Sequence, residues 1–378
     1  MKKMLLISFS NLKSDPRVKR QINYFKEFYE ITTVGLADSE IENVTHIDVY
    51  SPFSKLNFII PLPKLLLGIY ESYYWNLEEI KLTLEKIEGK QFDVIIANDA
   101  DALPVALKIK GNAKVIFDAH EYSPEENNDS LRWRILFKKY KTNLIQKYAN
   151  KADFMLTVCD GIAKKYNTEF GLNPMVLTNA ADYFENTNSM KVGEKIKIMH
   201  HGLALPQRKI ENMIEMMDFV DDRFELDLML VFRKEEYKKE LEQLIGTKKN
   251  VRLIPPVGSD DIVPYISQYD IGIYLLEPNN FNNKHALPNK FFEFIQGRLA
   301  IAIGPSPEMA KIVTDFDLGL ISKDFDAKNL AEIIKSFTTD KIIYYKEKSD
   351  FAAKELNAQN SYKKLYEKLN LLINSASS

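Results

Sequence analysis

Short apolar runs alternate with longer amphipathic segments along the whole chain, and this alternation restricts the possible fold more than any other feature. An apolar run bounded by turn residues is typical of a strand that is buried on both faces of a parallel sheet. An amphipathic segment is typical of a helix that covers such a sheet. The chain is therefore expected to be an α/β protein with doubly wound parallel sheets.

The apolar runs predict strands in both halves of the chain, with helices between them. The predicted strands are Lys3–Phe9, Glu30–Gly35, Val94–Ala97, Lys114–Asp118, Phe154–Val158, Ile196–His200, Phe224–Phe232, Val251–Ile254, Ile271–Leu275, Ala300–Ile303 and Gly319–Ile321. The predicted helices are Pro16–Phe28, Leu77–Ile87, Ala102–Lys108, Leu131–Ala149, Gly161–Tyr166, Ile210–Phe219, Glu235–Leu244, Asp260–Ser267, Lys290–Ile295, Pro307–Val313 and Ala327–Phe337. The stretch after Phe337 is predicted to be helical and to add no strand.

A polar segment, Asp182–Glu194, contains few large apolar side chains and is predicted to be a linker. Because domains usually have about 100–200 residues, a chain of 378 residues is expected to form two. The expected domains are residues 1–185 and residues 186–354. Ligands of doubly wound sheets bind at the carboxyl ends of the strands, so the expected ligand site is a cleft between the two domains.

The composition excludes several classes of protein. Apolar residues make up 45% and charged residues 28%, which is not the composition of a disordered, collagen-like or coiled-coil chain. The chain has 51 Lys and Arg against 53 Asp and Glu, and this near balance predicts no nucleic-acid partner. The single cysteine, Cys159, excludes a disulfide framework and a thiolate metal cluster, and we interpret it as a buried structural thiol.

Two apolar stretches have some features of membrane or targeting segments. The run that begins at Met1 is too short for a signal peptide and lacks a small-residue cleavage site, so it is interpreted as a first strand. The stretch Phe58–Tyr70 is interrupted by Pro61, Pro63 and Lys64 and is too short to span a bilayer. A cytoplasmic protein is therefore expected.

The segment Leu131–Ala149 carries six basic residues and no acidic one. A basic amphipathic helix can lie on an anionic membrane, or it can cover a protein core and expose its basic face to water. The segment thus leaves open a peripheral contact with the cytoplasmic face of the inner membrane.

The first predicted strand ends in Ser8-Phe-Ser-Asn-Leu-Lys-Ser14. This loop lacks the Gly-x-Gly-x-x-Gly pattern of a dinucleotide site, which disfavours a dehydrogenase.

The residues that follow this loop, from Asp15 to Arg17, have two interpretations. Asp15 and Pro16 are a good N-cap and first residue of an ordinary helix, and the same helix start can present Arg17 to an anionic ligand.

Polar side chains also follow two later strands. The segment Asn98-Asp99-Ala100-Asp101 contains an Asp-x-Asp pattern, which can hold a divalent metal. Because the pattern recurs at residues 315–317 and 324–326, helix capping or lining of the cleft is favoured, and no metal is expected.

His120 follows another strand and has carboxylates on either side. A histidine there can donate a hydrogen bond to a ligand hydroxyl or change its protonation near neutral pH, and a solvated loop histidine is the alternative.

In the second half, His200-His201-Gly202 ends a strand, and Gln207-Arg208-Lys209 opens the next predicted helix with two cations that suit a diphosphate. A long polar loop after Glu277 leads into a helix whose early residues include Lys290 and Glu293. Backbone N–H groups at this helix start can hold phosphate. Glu293 can accept hydrogen bonds from ribose hydroxyls, or it can simply interact with the helix dipole.

Together these residues resemble glycosyltransferase family 4, whose members are retaining, nucleotide-sugar-dependent enzymes of the GT-B fold. The motifs Asp15-Pro-Arg-Val-x-Arg, Asp118-x-His-Glu, Gly202 to Lys209, and Pro288-Asn-Lys-x-x-Glu-Phe occur in the family's order and cover most of the chain. The resemblance implies two Rossmann-like domains with an interdomain cleft. It also implies a final helix, at about residues 355–378, that crosses back to the first domain.

The resemblance implies roles for individual residues. Glu293 matches the second carboxylate of the family's Glu-x7-Glu motif, and this carboxylate binds the ribose. Arg208 and Lys209 match cations that bind the donor diphosphate. His120 matches a histidine near the reaction centre. His120 and Glu293 are therefore the expected catalytic residues. The expected donor-binding residues are Gly202, Arg208, Lys209, His285, Pro288, Asn289, Lys290, Glu293 and Glu308. The expected acceptor-side residues are Ser10, Asn11, Arg17, Asn98, Asp99 and Glu121.

The chain departs from the family's motifs at three places. His285 stands where the first carboxylate of Glu-x7-Glu contacts donor-sugar hydroxyls, Leu203 stands where an arginine commonly follows the glycine, and Ser10-Asn11 replace a Gly-Gly pair. An unusual sugar pocket and fewer cationic contacts to the diphosphate are expected.

The resemblance implies a retaining glycosyltransferase that moves a sugar from a nucleotide-sugar to a glycan or lipid-linked acceptor in bacterial surface polysaccharide biosynthesis. It implies no cofactor and no required metal. Two alternatives remain open. The chain can be a non-catalytic partner of the same fold in a glycan-assembly complex, or a nucleotide-sugar 2-epimerase, which shares the two-domain architecture.

Overall fold

The computed structural model describes residues 1–50, 62–186, 190–246 and 248–374. The chain forms two compact units. The first comprises Met1–Thr178, Asn280–Asn282 and the chain from Tyr362 onward, and the second comprises Asn179–Asn279 and Asn283–Ser361. Residues 51–61, which include part of the apolar stretch Phe58–Tyr70, residues 187–189 of the predicted linker and residues 375–378 of the predicted last helix lie outside the described residues.

The first unit is built on a parallel sheet that has seven strands within the described residues, in the order β3-β2-β1-β4-β5-β6-β7. The strands are β1 (Lys2–Ile7), β2 (Tyr29–Gly35), β3 (Thr45–Asp48), β4 (Val94–Asn98), β5 (Lys114–Ala119), β6 (Phe154–Thr157) and β7 (Met175–Val176). The five strands predicted for this half are confirmed. The two edge strands were not predicted, because β3 buries only Ile47 and β7 has only two residues.

Helices connect these strands. They are α1 (Pro16–Phe25), α2 (Leu62–Leu66), α3 (Tyr70–Tyr74), α4 (Glu78–Ile87), α5 (Asp99–Ile109), α6 (Leu131–Leu136), α7 (Lys138–Tyr148) and α8 (Asp160–Phe170). Helix α1 starts as predicted, because the Asp15 carboxylate accepts a hydrogen bond from the Val18 N–H at 3.2 Å and Pro16 is its first residue. The prediction of one helix at Leu131–Ala149 is wrong. Its two parts meet at Phe137, whose φ of −107° departs from α-helical geometry.

The second unit has a parallel sheet of six strands within its described residues, in the order β10-β9-β8-β11-β12-β13. The strands are β8 (Ile196–Ala204), β9 (Phe224–Phe232), β10 (Val251–Ile254), β11 (Ile271–Tyr274), β12 (Ala300–Ile303) and β13 (Gly319–Ile321). All six were predicted, but β8 continues past His200 because it stays paired with β9 as far as Ala204. Gly202 therefore lies inside a strand.

The helices of the second half are α9 (Glu211–Glu215), α10 (Glu235–Ile245), α11 (Ile262–Ile266), α12 (Phe281–Lys284), α13 (Asn289–Gln296), α14 (Pro307–Phe316), α15 (Ala327–Lys335), α16 (Thr339–Glu355) and α17 (Ala358–Asn374). Helix α13 packs directly on β11, since a Cβ added to Gly272 would lie 2.5 Å from Cγ of Phe294. This close approach holds the start of α13 near the carboxyl end of the sheet. Among the described helices, none is both long and apolar enough to cross a membrane.

The last helix, α17, packs from Tyr362 onward within the first unit. The ring of Tyr366 stacks on Phe28 with a centroid distance of 4.2 Å. The Tyr362 hydroxyl donates a hydrogen bond to the Arg17 carbonyl at 3.3 Å, and its ring lies 6.1 Å from that of Phe25. The prediction that the final helix joins the first domain is confirmed.

Candidate active site

The first unit gathers polar side chains at the carboxyl ends of three neighbouring strands. Ser10 and Asn11 follow β1, Asn98 and Asp99 lie at the junction of β4 and α5, and His120 follows β5. Because these three strands are adjacent and parallel, their carboxyl ends lie at one edge of the sheet.

A buried ion pair stands under this edge. The Arg17 guanidinium donates to both carboxylate oxygens of Asp118, from Nε to Oδ2 at 2.9 Å and from Nη2 to Oδ1 at 2.7 Å. Arg17 Nη1 also donates to the Leu177 carbonyl at 2.9 Å. Burial alone would raise the pKa of Asp118, but the charge of Arg17 holds it below its usual value. The structure thus places Arg17 in an internal ion pair, and an anionic ligand would have to compete with Asp118 for it.

This ion pair is linked to His120 through two amide side chains. Gln21 Nε2 donates to Asp118 Oδ2 at 2.6 Å and to Asn98 Oδ1 at 3.0 Å. Asn98 Oδ1 also lies 3.0 Å from His120 Nε2. Because an amide oxygen can only accept, His120 Nε2 carries a hydrogen and donates it. The imidazole is therefore held in one tautomer, with Nδ1 left on the other side of the ring.

Asp99 faces that other side. Its φ of 65° puts it in the left-handed region, which Asp tolerates better than most residues. In this conformation its Oδ1 accepts the His120 backbone N–H at 3.1 Å, and its Oδ2 lies 3.4 Å from His120 Nδ1. When His120 is protonated, Nδ1 can donate to Asp99. The arrangement positions an imidazole for proton exchange at the edge of the sheet.

The remaining residues of the predicted acceptor side have local roles. Ser10 Oγ donates to Asp15 Oδ2 at 2.8 Å, and Asn11 Oδ1 accepts the Lys13 N–H at 3.1 Å, so both order the loop after β1. The Glu121 carbonyl accepts the Tyr166 hydroxyl at 3.0 Å. Within the described ranges, no group of three or more His, Cys, Asp or Glu side chains is placed to hold a metal ion.

Replacing Asp118 with alanine is expected to lower the free energy of unfolding of the first unit by about 3–5 kcal/mol, because Arg17 then stays buried without its partner. Urea unfolding followed by tryptophan fluorescence measures this, and Asp153→Ala, at a partly exposed ion pair with Lys114, is the control. The pKa of Asp118 is lower in the folded chain, so its stabilisation is complete above the unfolded value of about 3.9 and is lost as the pH falls through the folded one. A loss of less than about 1 kcal/mol would contradict this account of the pair.

In the second unit, β8 ends with two buried histidines. His200 Nδ1 lies 3.0 Å from the Ile273 carbonyl and donates to it, and the His201 ring packs edge-on against Phe294. Burial, and then the neighbouring Lys290, lower the pKa of His201 to about 3 and that of His200 well below its usual value. Both imidazoles are therefore neutral at neutral pH.

Glu293 lies beside these histidines on the second turn of α13. Its Oε2 is 3.4 Å from His201 Nε2, and its side chain is only partly exposed. Pro288 is the N-cap of α13 and makes no side-chain capping hydrogen bond, and Asn289 is the first residue of the helix. The structure thus brings a carboxylate and the amino-terminal N–H groups of a helix to the carboxyl end of β8.

The two predicted cations precede α9 in a short turn. Lys209 has a left-handed φ of 45°, and its Nζ lies 2.6 Å from Glu277 Oε2. Arg208 Nη1 donates to the Leu203 carbonyl at 3.1 Å. The helix predicted to begin at Ile210 begins at Glu211, because the turn at Lys209 is not helical. An anion that bound Lys209 would have to displace Glu277.

The histidine that replaces the first motif carboxylate is itself paired with a carboxylate. His285 Nδ1 lies 2.8 Å from Glu308 Oε1, and both side chains are largely buried. Glu308 lies in the first turn of α14, where its charge is favourable to the helix dipole. The structure thus joins two of the predicted donor-binding residues that are 23 positions apart in the sequence.

Sequence reasoning missed several contributors to these clusters. Gln21 lies four residues after Arg17, so helical spacing alone could have placed it on the same face. Tyr274, whose ring centroid lies 4.6 Å from Lys290 Nζ, gave no signal of its own in the sequence. Glu277 was noted only as the start of the polar loop, and nothing local indicates that it pairs with Lys209.

The chain is similar in structure to several solved proteins. HepE from Anabaena, in complex with UDP-glucose, matches over 98% of this chain and 100% of its own, with 15% identity and a TM-score of 0.72. Sucrose-phosphate synthase from Thermosynechococcus elongatus matches over 98% of this chain and 100% of its own, with 11% identity and a TM-score of 0.70. A TarM mutant from S. aureus, in complex with fondaparinux, alpha-GlcNAc-glycerol and UDP, matches over 78% of this chain and 59% of its own, with 14% identity and a TM-score of 0.62.

No protein-family model matches the chain, and no curated protein matches it in sequence. At 11–15% identity these structural matches establish the architecture alone. Together with the two parallel sheets, they show that the chain has the GT-B fold that the family resemblance implied.

Proposed function

We propose that the chain is a retaining glycosyltransferase that moves a sugar from a nucleotide-sugar to a hydroxyl of a glycan or lipid-linked acceptor, in bacterial surface polysaccharide assembly. The observation that carries this proposal is the cluster at the carboxyl end of β8, where Glu293 lies 3.4 Å from His201 and the buried amine of Lys290, at the start of α13, lies against Gly202. These groups suit the ribose and the diphosphate of one ligand. The proteins HepE and TarM, which share the fold, were solved with UDP-glucose and with UDP.

In this proposal the second unit binds the donor, with Glu293 on the ribose and His285 with Glu308 near the donor sugar. The leaving diphosphate gains negative charge in the transition state. Arg208, Lys209 and the amino-terminal N–H groups of α13 stabilise that charge, and stabilisation by preorganised groups of this kind is usually the largest single contribution to catalysis. No metal is required in this scheme. The first unit supplies the acceptor side, with His120 near the reaction centre.

The proposal is tested by incubating the protein with nucleotide-sugars and with polyprenyl-phosphate-linked or free saccharide acceptors, and by determining the anomeric configuration of the product by NMR. A new linkage with the donor's configuration supports it. Donor consumption that yields an isomer without an acceptor would show the epimerase instead. Donor binding without any turnover would favour the non-catalytic partner, and an inverted product would contradict the retaining mechanism.

We also propose that α2 and α6 dock the first unit on an anionic lipid bilayer. These helices lie against each other, and none of the residues of α6 is buried. Five large apolar side chains on and after the two helices are at least 48% exposed: Leu66, Leu67, Ile69, Leu131 and Ile135. Arg132, Arg134 and Lys139 are exposed around them. Apolar groups ringed by cations complement an anionic surface, where a lipid-linked acceptor would lie.

Reversing two of these charges, in Arg132→Glu/Arg134→Glu, is expected to lower the affinity for anionic vesicles by at least tenfold, because each cation near the surface contributes about 1 kcal/mol. Co-sedimentation with phosphatidylcholine vesicles, with and without phosphatidylglycerol, measures this. The control is Lys363→Glu/Lys364→Glu, which reverses two exposed charges of α17. Equal binding of wild type to the two vesicle types, or no effect of the α6 substitutions, would exclude this docking face.

A further inference from the structure

Two amide side chains of the first unit are buried, and each has a polar atom without a hydrogen-bond partner among the described residues. Gln21 is fully buried and Asn98 is 2% exposed. The atoms without a partner are Gln21 Oε1 and Asn98 Nδ2. Such an atom lowers the stability of the fold, because its lost hydration is not replaced. The hydrogen bonds that these amides do form therefore carry the reason for their presence.

The orientation of the Gln21 amide is set by groups whose hydrogen-bonding roles are fixed. A guanidinium can only donate and an ionised carboxylate can only accept, and the charge of Arg17 keeps Asp118 ionised. Gln21 Nε2 lies 2.6 Å from Asp118 Oδ2. If the Gln21 amide were turned over, two acceptor oxygens would face each other at this distance. The NH₂ group therefore faces Asp118.

The second hydrogen of that NH₂ group sets the orientation of Asn98. Gln21 Nε2 lies 3.0 Å from Asn98 Oδ1 and donates to it. If the Asn98 amide were turned over, two NH₂ groups would face each other and this hydrogen bond would be lost. Asn98 therefore presents its oxygen to His120, and Oδ1 accepts the Nε2 hydrogen at 3.0 Å.

Two carboxylates also lie close to the His120 ring. Asp118 Oδ2 is 3.7 Å from Nε2, and Asp99 Oδ2 is 3.4 Å from Nδ1. Each carboxylate favours a hydrogen on the nitrogen that it faces, so the two charges act in opposite directions. Asn98 is the group in hydrogen-bond contact with the ring, and such a contact determines which ring nitrogen carries the hydrogen.

We propose that Gln21 is a positioning residue, which orients Asn98 so that the neutral His120 ring carries its hydrogen on Nε2 and presents the lone pair of Nδ1 beside Asp99. A lone pair on Nδ1 can accept the hydrogen of an acceptor hydroxyl, whereas a ring with its hydrogen on Nδ1 cannot. The effect on turnover rests on the proposed function. The tautomer rests only on the hydrogen bonds that run from Arg17 to His120.

The tautomer is measured by ¹⁵N NMR on protein labelled at histidine, because a ring nitrogen with a hydrogen and one without differ widely in chemical shift. The His120 signals are those absent from His120→Gln. Spectra are compared at a pH where these signals no longer change as the pH rises. The variants are Gln21→Met, which removes both donated hydrogen bonds, and Gln21→Glu. The control is Gln243→Met, at an exposed glutamine of α10.

Wild type and Gln243→Met are expected to carry the His120 hydrogen on Nε2. In Gln21→Glu, the new carboxyl group shares one proton with Asp118, because two carboxyl groups this close do not both ionise. Its oxygen then faces Asn98 without a hydrogen. Asn98 should turn over and donate to Nε2, which leaves the hydrogen of His120 on Nδ1. Gln21→Met releases Asn98, so both tautomers should be populated.

Turnover with the donor at saturating concentration should follow the population of the tautomer with its hydrogen on Nε2. We expect a loss of a few-fold in Gln21→Met and of about tenfold or more in Gln21→Glu. The affinity for UDP-glucose, measured by calorimetry, should change much less. A role in folding alone would instead lower the unfolding temperature of the variants and leave the tautomer of the folded protein unchanged.

Three results would overturn the inference. They are a hydrogen on Nδ1 in wild type, the wild-type tautomer alone in either folded Gln21 variant, and a reversed tautomer with unchanged turnover. The second result is expected if the charge of Asp118 sets the tautomer without Gln21. The NMR measurement needs no substrate. A reversed tautomer in Gln21→Glu, together with no sugar transfer by any of the proteins, would therefore support the role of Gln21 and count against the proposed function.

Discussion

Replacing Glu293 with alanine is expected to weaken nucleotide-sugar binding by about 10- to 100-fold. A hydrogen bond between a hydroxyl and a charged carboxylate is worth about 1.5–3 kcal/mol, and each 1.4 kcal/mol is about a factor of ten in affinity. Glu293 is well placed for this role, since it lies on the second turn of α13, beside the neutral His201 and close to Gly202. Isothermal titration calorimetry measures the loss.

Glu332→Ala is the matched control for this substitution, because it removes an exposed glutamate from helix α15 of the same unit. Glu293→Gln keeps the size of the side chain and one acceptor oxygen without the charge, so it should lie between wild type and Glu293→Ala. Thermal unfolding checks that each variant is folded. Unchanged affinity in a folded Glu293→Ala would show that the donor does not bind at the carboxyl end of β8.

Replacing His120 with alanine is expected to lower turnover by about 100-fold or more, the range of positioned acid–base groups, and to change donor affinity much less. The imidazole is held between Asn98 on one side and Asp99 on the other, at the edge of the first sheet. His120 lies in the first unit and Glu293 in the second. Substitution of His120 should therefore change turnover, and substitution of Glu293 should change donor binding. Steady-state kinetics with the donor at saturating concentration measures turnover.

His120→Gln tests which ring nitrogen matters. The glutamine amide can still donate to Asn98 in place of Nε2, but it offers nothing in place of Nδ1 beside Asp99. If Nδ1 exchanges the proton, His120→Gln should be as impaired as His120→Ala. The control is His46→Gln, at a histidine on β3 that bonds Thr33 at 2.9 Å. Full turnover in His120→Ala would remove this residue from the mechanism.

Local patterns in the sequence predicted most of the fold. The strand Phe224–Phe232 was predicted with its observed bounds, because seven of its nine residues are apolar and charged residues flank it on both sides. The edge strand Thr45–Asp48 was missed because one face meets solvent and only Ile47 is buried. The break at Phe137 was missed because the basic segment keeps its helical periodicity through the junction.

The candidate site was less predictable because its contacts join distant parts of the chain. Arg17 and Asp118 are 101 positions apart, and Lys209 and Glu277 are 68 apart, so neither pair leaves a local pattern. The motifs singled out Arg17, His120, Lys290 and Glu293 one at a time. Only the parallel registers of the strands bring Asn98 beside Asp118, and only the extension of β8 brings Gly202 against Lys290.

The central claim, that a nucleotide-sugar binds at Glu293, is tested most directly by a thermal-shift panel of UDP, GDP, ADP, CMP and their common sugar conjugates, without added metal, on wild type and Glu293→Ala. A ligand that binds only the folded state raises the unfolding midpoint by mass action. The account predicts that one nucleotide and its conjugates stabilise wild type and stabilise Glu293→Ala clearly less at the same concentration. Equal stabilisation of the two proteins, or none by any member of the panel, would contradict it.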